Sequence, residues 1–196
     1  MPVLPLSGVV LAGGRSSRFG SDKALHELSG RTLLEHALAS LAGCAERFVV
    51  GGDERYAFAG VLVVPDEAPG EGPLAGLATA LAAAREGRVA LCACDMPALT
   101  PTYWEFLAVR AGAAVVIPEG PDGRPEPLAA LYSRECLPLV RAALAAGERR
   151  LAGWHDRLAE AGLERVIVPW EAVLERFGGD LFRNVNRPED VPPGRP

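Results

Sequence analysis

Short apolar runs rich in β-branched residues alternate along this chain with segments of helical periodicity, and that alternation restricts the fold more than any other feature. It argues for an α/β domain built on a largely parallel sheet. The expected strands are Gly8 to Ala12, Phe48 to Val50, Val61 to Val64 and Val89 to Ala93. Between them lie a helix from about Thr32, with Leu33, Leu34, Ala37, Leu38 and Leu41 on one face, and a second carrying Leu74, Leu77, Ala78 and Leu81. Thr100-Pro101 opens a third, threonine as N-cap and proline at the first helical position.

The pattern changes beyond residue 110. Ala113 to Ile117 and Leu128 to Tyr132 read as strands around the turn cluster Pro121-Asp122-Gly123-Arg124-Pro125, and so short a connection predicts an antiparallel pair. A helix around Leu137, Val140 and Leu144 follows, with another suggested by Leu151, Trp154 and Leu158. Val166 to Val168 and Leu181 to Phe182 are the last expected strands. The expected organisation is one domain over residues 1–190, the N-terminal half binding a nucleotide, with a flexible proline-rich tail at 191–196.

In an open parallel sheet, ligands bind beyond the carboxyl ends of the strands. Three of the first four strands end in suggestive residues: the loop Gly13 to Lys23, then Asp66, then Asp95. The loop runs Leu11-Ala12-Gly13-Gly14-Arg15-Ser16-Ser17-Arg18-Phe19-Gly20-Ser21-Asp22-Lys23. Its glycines let a phosphate approach successive backbone amides, and Arg15, Arg18 and Lys23 add positive charge. Lys23 is the only lysine among 20 Lys and Arg residues. A compact ammonium retained where arginine is otherwise used points to a crowded phosphate. The spacing fits neither a P-loop nor a Gly-x-Gly-x-x-Gly fingerprint.

Asp95 closes an apolar strand opposite that loop, where a carboxylate suits Mg²⁺, which takes one or two carboxylates together with phosphate oxygens. Lys23 is expected to face it across the space a triphosphate would occupy. Asp66 follows Pro65 and serves equally well as a turn cap or a ligand contact. Gly70 to Leu77 opens a helix whose free amides face the same crevice. Asn184 and Asn186, two apart on an extended segment, present amides to one side.

Other chemistries find little support. His26, His36 and His155 read as surface or helix residues, and no Ser/His/Asp or Cys/His arrangement stands out. Cys44, Cys92, Cys94 and Cys136 lack metal spacing and read as reduced core thiols. Trp104, Trp154 and Trp170 are spaced as packing anchors. A net charge of −5 with dispersed arginines leaves no footprint for nucleic acid or a membrane surface. The start lacks the basic region of a signal peptide, and no apolar run approaches the roughly 20 residues of a membrane span. A cytoplasmic location is expected.

The motifs together resemble the bacterial molybdenum cofactor guanylyltransferases, the MobA family. The resemblance rests on Leu-Ala-Gly-Gly-x-x-x-Arg-x-Gly-x-Asp-Lys at 11–23, Gly-Pro-Leu-Ala-Gly at 72–76, Cys-Asp-Met-Pro at 94–97 and Asn-Val-Asn-x-Pro-Glu at 184–189. It implies a Rossmann-like nucleotidyltransferase fold, mostly parallel with an antiparallel strand and helices on both faces. It also implies transfer of GMP from GTP to the terminal phosphate of molybdopterin, with Mg²⁺ as cofactor. By position, Leu11, Ala12 and Gly13 would meet the guanine through backbone groups and Gly14 would continue the cradle. Lys23 would hold the phosphates with Arg18 beside it, Asp66 would touch the nucleotide, and Asp95 would bind the metal. Gly76 belongs to the turn expected to help select the base. Arg124 and Pro127 lie in a segment resembling the family's proline loop, so with Asn184 and Asn186 they would meet the pterin in the C-terminal half. GTP and molybdopterin are the implied partners, with transient contact to cofactor-synthesis proteins or molybdoenzyme chaperones.

Three positions depart from the family pattern. Gly51 replaces a nucleotide-contacting asparagine, Glu126 stands where a neutral or basic polar residue is expected, and Arg187 replaces a threonine. Two further readings stay open. One is the same chemistry with CTP or another nucleotide, on a pterin or on a sugar or alcohol phosphate. The other is a non-catalytic carrier of nucleotide or pterin cofactor, against which Asp95 and Lys23 argue together.

Overall fold

A computed structural model describes residues 3–12, 22–51, 54–185 and 190. In chain order its elements begin with strand β1 (Leu4–Leu11), a 3₁₀ turn at Lys23–Leu25, the two-residue strands β2 (Glu27–Leu28) and β3 (Arg31–Thr32), and helix α1 (Leu33–Ser40). Strand β4 (Cys44–Val50), a 3₁₀ helix at Glu54–Ala59, β5 (Leu62–Val64), α2 (Pro73–Ala83), β6 (Arg88–Ala93) and α3 (Pro101–Ala108) follow. The remainder comprises β7 (Val115–Pro118), β8 (Ala129–Ser133), a 3₁₀ turn at Arg134–Cys136, α4 (Leu137–Ala145), α5 (Arg157–Glu160), β9 (Arg165–Val168) and α6 (Trp170–Phe177).

Seven strands form one sheet in the order β5-β4-β1-β6-β8-β7-β9. Only β8 runs against the others, antiparallel to both β6 and β7, while β7 and β9 are parallel. The expected antiparallel pair therefore forms, but β8 inserts itself between β6 and β7.

Alternation along the buried strands assigns residues to two faces. Val10, Val49, Ala90, Cys92, Val116 and Leu131 pack with Leu34, Leu38, Tyr103, Trp104 and Val173, so α1, α3 and α6 cover one face. Val9, Phe48, Leu91, Val115 and Tyr132 pack with Leu74, Leu77, Leu81, Val140 and Leu158, so α2, α4 and α5 cover the other. Apolar burial on both faces is the main source of cohesion in a sheet of this kind.

Three regions depart from the sequence reading. Leu181 and Phe182 form a turn rather than a strand; both are buried, and the Phe182 ring lies edge-on to Tyr103 at 5.8 Å. Helix α6 is not among the expected elements, although Trp170, Val173, Leu174 and Phe177 have the i, i+3, i+4, i+7 spacing of an amphipathic helix. Around residue 154 the chain makes turns and then only the short α5; Leu151, Trp154 and Leu158 are buried, but within turns more than helix. His155, expected as a surface or helix residue, lies in a turn and is 4% exposed.

Candidate active site

Strands β1, β5 and β6 share one direction, so the residues that follow them emerge at one edge of the sheet. A cavity of about 700 Å³ opens there. Leu11, Ala12, Asp22, Lys23, Asp66, Gly76 and Asp95 all line it. Gly13, Gly14, Arg18 and Asn186 lie outside the described residues.

Lys23 and Asp95 do not face each other across open space. Lys23 Nζ donates to Asp95 Oδ2 at 2.7 Å, and the two side chains are 16% and 23% exposed. The contact joins positions 72 residues apart. The other carboxylate oxygen, Asp95 Oδ1, is buried and has no hydrogen-bond partner among the described residues. A desolvated carboxylate oxygen in that condition suits a hard divalent cation. Among the described residues no group of three or more His, Cys, Asp or Glu gathers as a metal cage. Such a cation would depend on Asp95 and on oxygens brought by the ligand.

The C-terminal segment reaches the same place through its backbone. The Val185 amide donates to the Asp95 carbonyl at 2.9 Å, and the Val185 side chain is buried against Leu28 and Leu33. This fixes the exposed Asn184 one residue from the Asp95 strand end. Arg124 and Pro127 are not part of the cavity lining; Leu128, one residue further on, is. Arg124 is exposed and lies 3.5 Å from Asp122, and the Pro127 carbonyl accepts from the Tyr132 hydroxyl at 2.8 Å.

Asp66 makes the turn contact and also stands on the cavity wall. Its Oδ1 accepts from the Ala68 amide and the Thr79 hydroxyl, each at 3.1 Å, while the residue remains on the cavity wall. The first amides of α2 are less available than expected. The Leu74 amide reaches the Arg149 carbonyl at 3.3 Å, the Ala75 amide the Gly72 carbonyl at 3.1 Å, and Pro73 has none to give. Gly76 serves packing as well as the cavity: a Cβ there would lie 3.1 Å from Leu11 Cδ2, so its absence lets α2 settle on β1.

Gly51 has a local explanation. Its φ is +85°, and a Cβ would stand 2.2 Å from the Ala12 carbonyl oxygen. Asparagine tolerates a left-handed backbone, but this approach leaves no room for its side chain. The Gly51 amide donates to the Val64 carbonyl at 3.0 Å and so does not present a free donor to the cavity.

Glu126 is the second departure with a physical consequence. Burial, reinforced by Asp122 and Asp95, pushes its carboxyl up to about 7. Two residues escaped the sequence reading altogether. Asp22 accepts from the Tyr56 hydroxyl at 2.9 and 2.8 Å, from the Ala24 amide at 3.1 Å and from Arg55 at 3.2 Å. Its place in the Asp-Lys pair was a usable signal, whereas nothing local marks Tyr56.

A mostly parallel sheet, a glycine-rich sequence after its first strand and a lysine–carboxylate pair at the strand ends are in keeping with a nucleotidyltransferase. The chain belongs to the MobA-like NTP transferase family, whose domain profile matches residues 8–162. It is 46% identical over 191 residues to a probable molybdenum cofactor guanylyltransferase of Deinococcus radiodurans, covering 96% of this chain and 93% of that one. A protein with the same description from Carboxydothermus hydrogenoformans is 33% identical over 187 residues, covering 94% and 92%. Among solved structures, molybdopterin-guanine dinucleotide biosynthesis protein A of Archaeoglobus fulgidus superposes with a TM-score of 0.77 at 28% identity, over 95% of each chain. The 2-C-methyl-D-erythritol 4-phosphate cytidylyltransferase of Thermus thermophilus shares the fold, with a TM-score of 0.67 at 20% identity over 93% and 94% of the two chains.

Proposed function

We propose that this protein transfers GMP from GTP to the terminal phosphate of molybdopterin and releases pyrophosphate. The observation that carries the reading is the Lys23–Asp95 contact in a cavity at the strand ends, with Asp95 Oδ1 buried and unpartnered. The relatives' descriptions supply the guanine and the pterin.

A phosphate oxygen of molybdopterin attacks the α-phosphorus of GTP, and the bond from that phosphorus to the bridging oxygen of the β-phosphate breaks. The nucleophile needs no general base, because a phosphate monoester loses its second proton near pH ~6. The difficulty is electrostatic, since two polyanions must meet. Lys23 answers it by holding the triphosphate, with Arg18 as a second cation from the loop. Leu11, Ala12, Gly13 and Gly14 support the base and phosphates through backbone groups, and Asp66 and Gly76 complete that wall. Asp95 would hold Mg²⁺, which supplies charge neutralisation on the phosphates when bound. In the C-terminal half, Asn184 and Asn186 receive the pterin beside Asp95, with Arg124 and Pro127 on the outer side.

Residues 1–190 act as one unit in this reading, and the tail takes no part. Four cysteines without disulfides are in keeping with a cytoplasmic setting, where cofactor-synthesis proteins or molybdoenzyme chaperones would exchange the pterin.

The test is pyrophosphate release from each of the four nucleoside triphosphates with Mg²⁺ and molybdopterin. Release with GTP alone, and formation of a guanine dinucleotide, is the expected result. Preference for CTP overturns the base, and no release with any nucleotide leaves a carrier.

A further inference from the structure

We propose that Tyr56 and Asp22 are positioning residues that hold Lys23 in its phosphate-binding place. Lys23 opens a 3₁₀ turn of three residues, too short to be rigid by its own hydrogen bonds. Its preceding residue supplies the missing restraint. Asp22 is the N-cap of that turn, and its Oδ1 accepts from the Ala24 amide at 3.1 Å. Both oxygens of the same carboxylate then accept from the Tyr56 hydroxyl, at 2.9 and 2.8 Å.

Tyr56 is a firm anchor. It is 1% exposed and packs in one apolar cluster with Ala12, Ala24 and Cys94, which line the cavity. Burial first, then Asp22, pushes its hydroxyl well above its ordinary range, so it remains a donor at every working pH. A charge-assisted bond of this kind is stronger than a neutral one and is costly to break once desolvated.

The arrangement also answers an electrostatic question. A carboxylate on the wall of a polyphosphate site would repel the ligand. Here Asp22 is turned to Tyr56 and to the Arg55 guanidinium at 3.2 Å, so its charge is engaged by protein donors. Asp22 is thus not a second metal carboxylate but a tether, linking the segment after β4 to the base of Lys23. The lysine ammonium continues the series to Asp95. Tyr56, Asp22, Lys23 and Asp95 form one connected series, of which the last three line the cavity.

The inference rests on the nucleotidyl-transfer reading above, and the experiment separates the two. Steady-state GMP transfer and calorimetric affinity for MgGTP are measured for wild type, Tyr56→Phe, Lys23→Ala and the double variant. Tyr56→Phe removes one hydroxyl and keeps the buried ring. It is expected to lower kcat/KM and GTP affinity about tenfold where Lys23 is present. In the Lys23→Ala background the same change should cost under about twofold, because the group it positions is gone. An equal factor in both backgrounds, or no effect in either, overturns the inference, and a general loss of stability would show as that equal factor. Asp22→Asn still accepts from Ala24 and Tyr56 and should recover activity relative to Asp22→Ala; equal loss in both makes the charge, not the tether, the operative feature and overturns it as well. A wild type that binds MgGTP without transferring GMP removes the functional reading, while the affinity comparison still decides the role of Tyr56.

Discussion

Lys23 and Asp95 meet at 2.7 Å as an ion pair. Removing either leaves a partly buried charge without that partner and removes a group that would act on the phosphates. Lys23→Ala and Asp95→Ala are each expected to lower the rate of GMP transfer by about two to three orders of magnitude, the usual cost of a lost charge-stabilising group. Single-turnover kinetics with Mg²⁺ would check this; wild-type rates in Asp95→Ala would remove it from the chemistry. Glu126 carries a different consequence. Its carboxyl is raised from an ordinary 4.5 to about 7, chiefly by burial and then by Asp122 and Asp95. A carboxyl raised on folding contributes fully below its unfolded value and loses that contribution as pH climbs through its folded value. Glu126→Gln is therefore expected to be more stable than wild type at pH 8 and to lose the advantage towards pH 4.5, read as Tm across that range.

At the scale of elements, α1 shows how a local signal becomes structure. Thr32 accepts from the Glu35 amide at 3.2 Å, and the Glu35 carboxylate accepts from the Thr32 amide at 2.7 Å, a reciprocal cap. The backbone and hydroxyl bonds to Thr32 also hold the Glu35 carboxyl below its ordinary value. Thr32→Ala should cost about 1 kcal/mol, measurable by denaturant unfolding, with the m-value unchanged. Helix α2 is bounded otherwise. It has no side-chain cap; Gly72 and Pro73 open it, and the Arg149 carbonyl from the segment after α4 takes the Leu74 amide. The side chains of Arg149 and Glu71 form an ion pair across the same junction. Here the cavity wall depends on a segment 75 positions downstream (Leu74 to Arg149), which no helix-start rule would find.

The whole molecule shows its buried chemistry in acid. His155 sits beside Trp154, ring centroids 4.9 Å apart, and its Nε2 has no partner. Burial, then Arg165, lowers its imidazole from 6.5 to about 4. A histidine lowered on folding stabilises above its unfolded value, and that contribution disappears as pH falls from 6.5 towards about 4. His155→Leu is expected to flatten the decline in stability over that interval, whereas an unchanged slope would show the ring to be solvated. Much of this architecture was legible in advance. The short apolar runs and helical patterns located β1, β4, β5, β6 and the first three helices, because hydrophobic patterning is a local property of the chain. The same reading singled out Lys23 and Asp95 as candidates from their places after strands, and the family resemblance marked Gly51 as a departure. It did not yield the insertion of β8 between β6 and β7, the burial of His155, or the tether from Tyr56 to Asp22. Those depend on which strands pair and which loops meet, choices made by packing two apolar faces at once. The sequence by itself therefore determined an α/β sheet and a glycine-rich stretch between its first strand and Lys23, a candidate phosphate contact. Only the tertiary structure decided that Lys23 touches Asp95, since a contact between positions 72 apart needs the strand order that sets β1 beside β6.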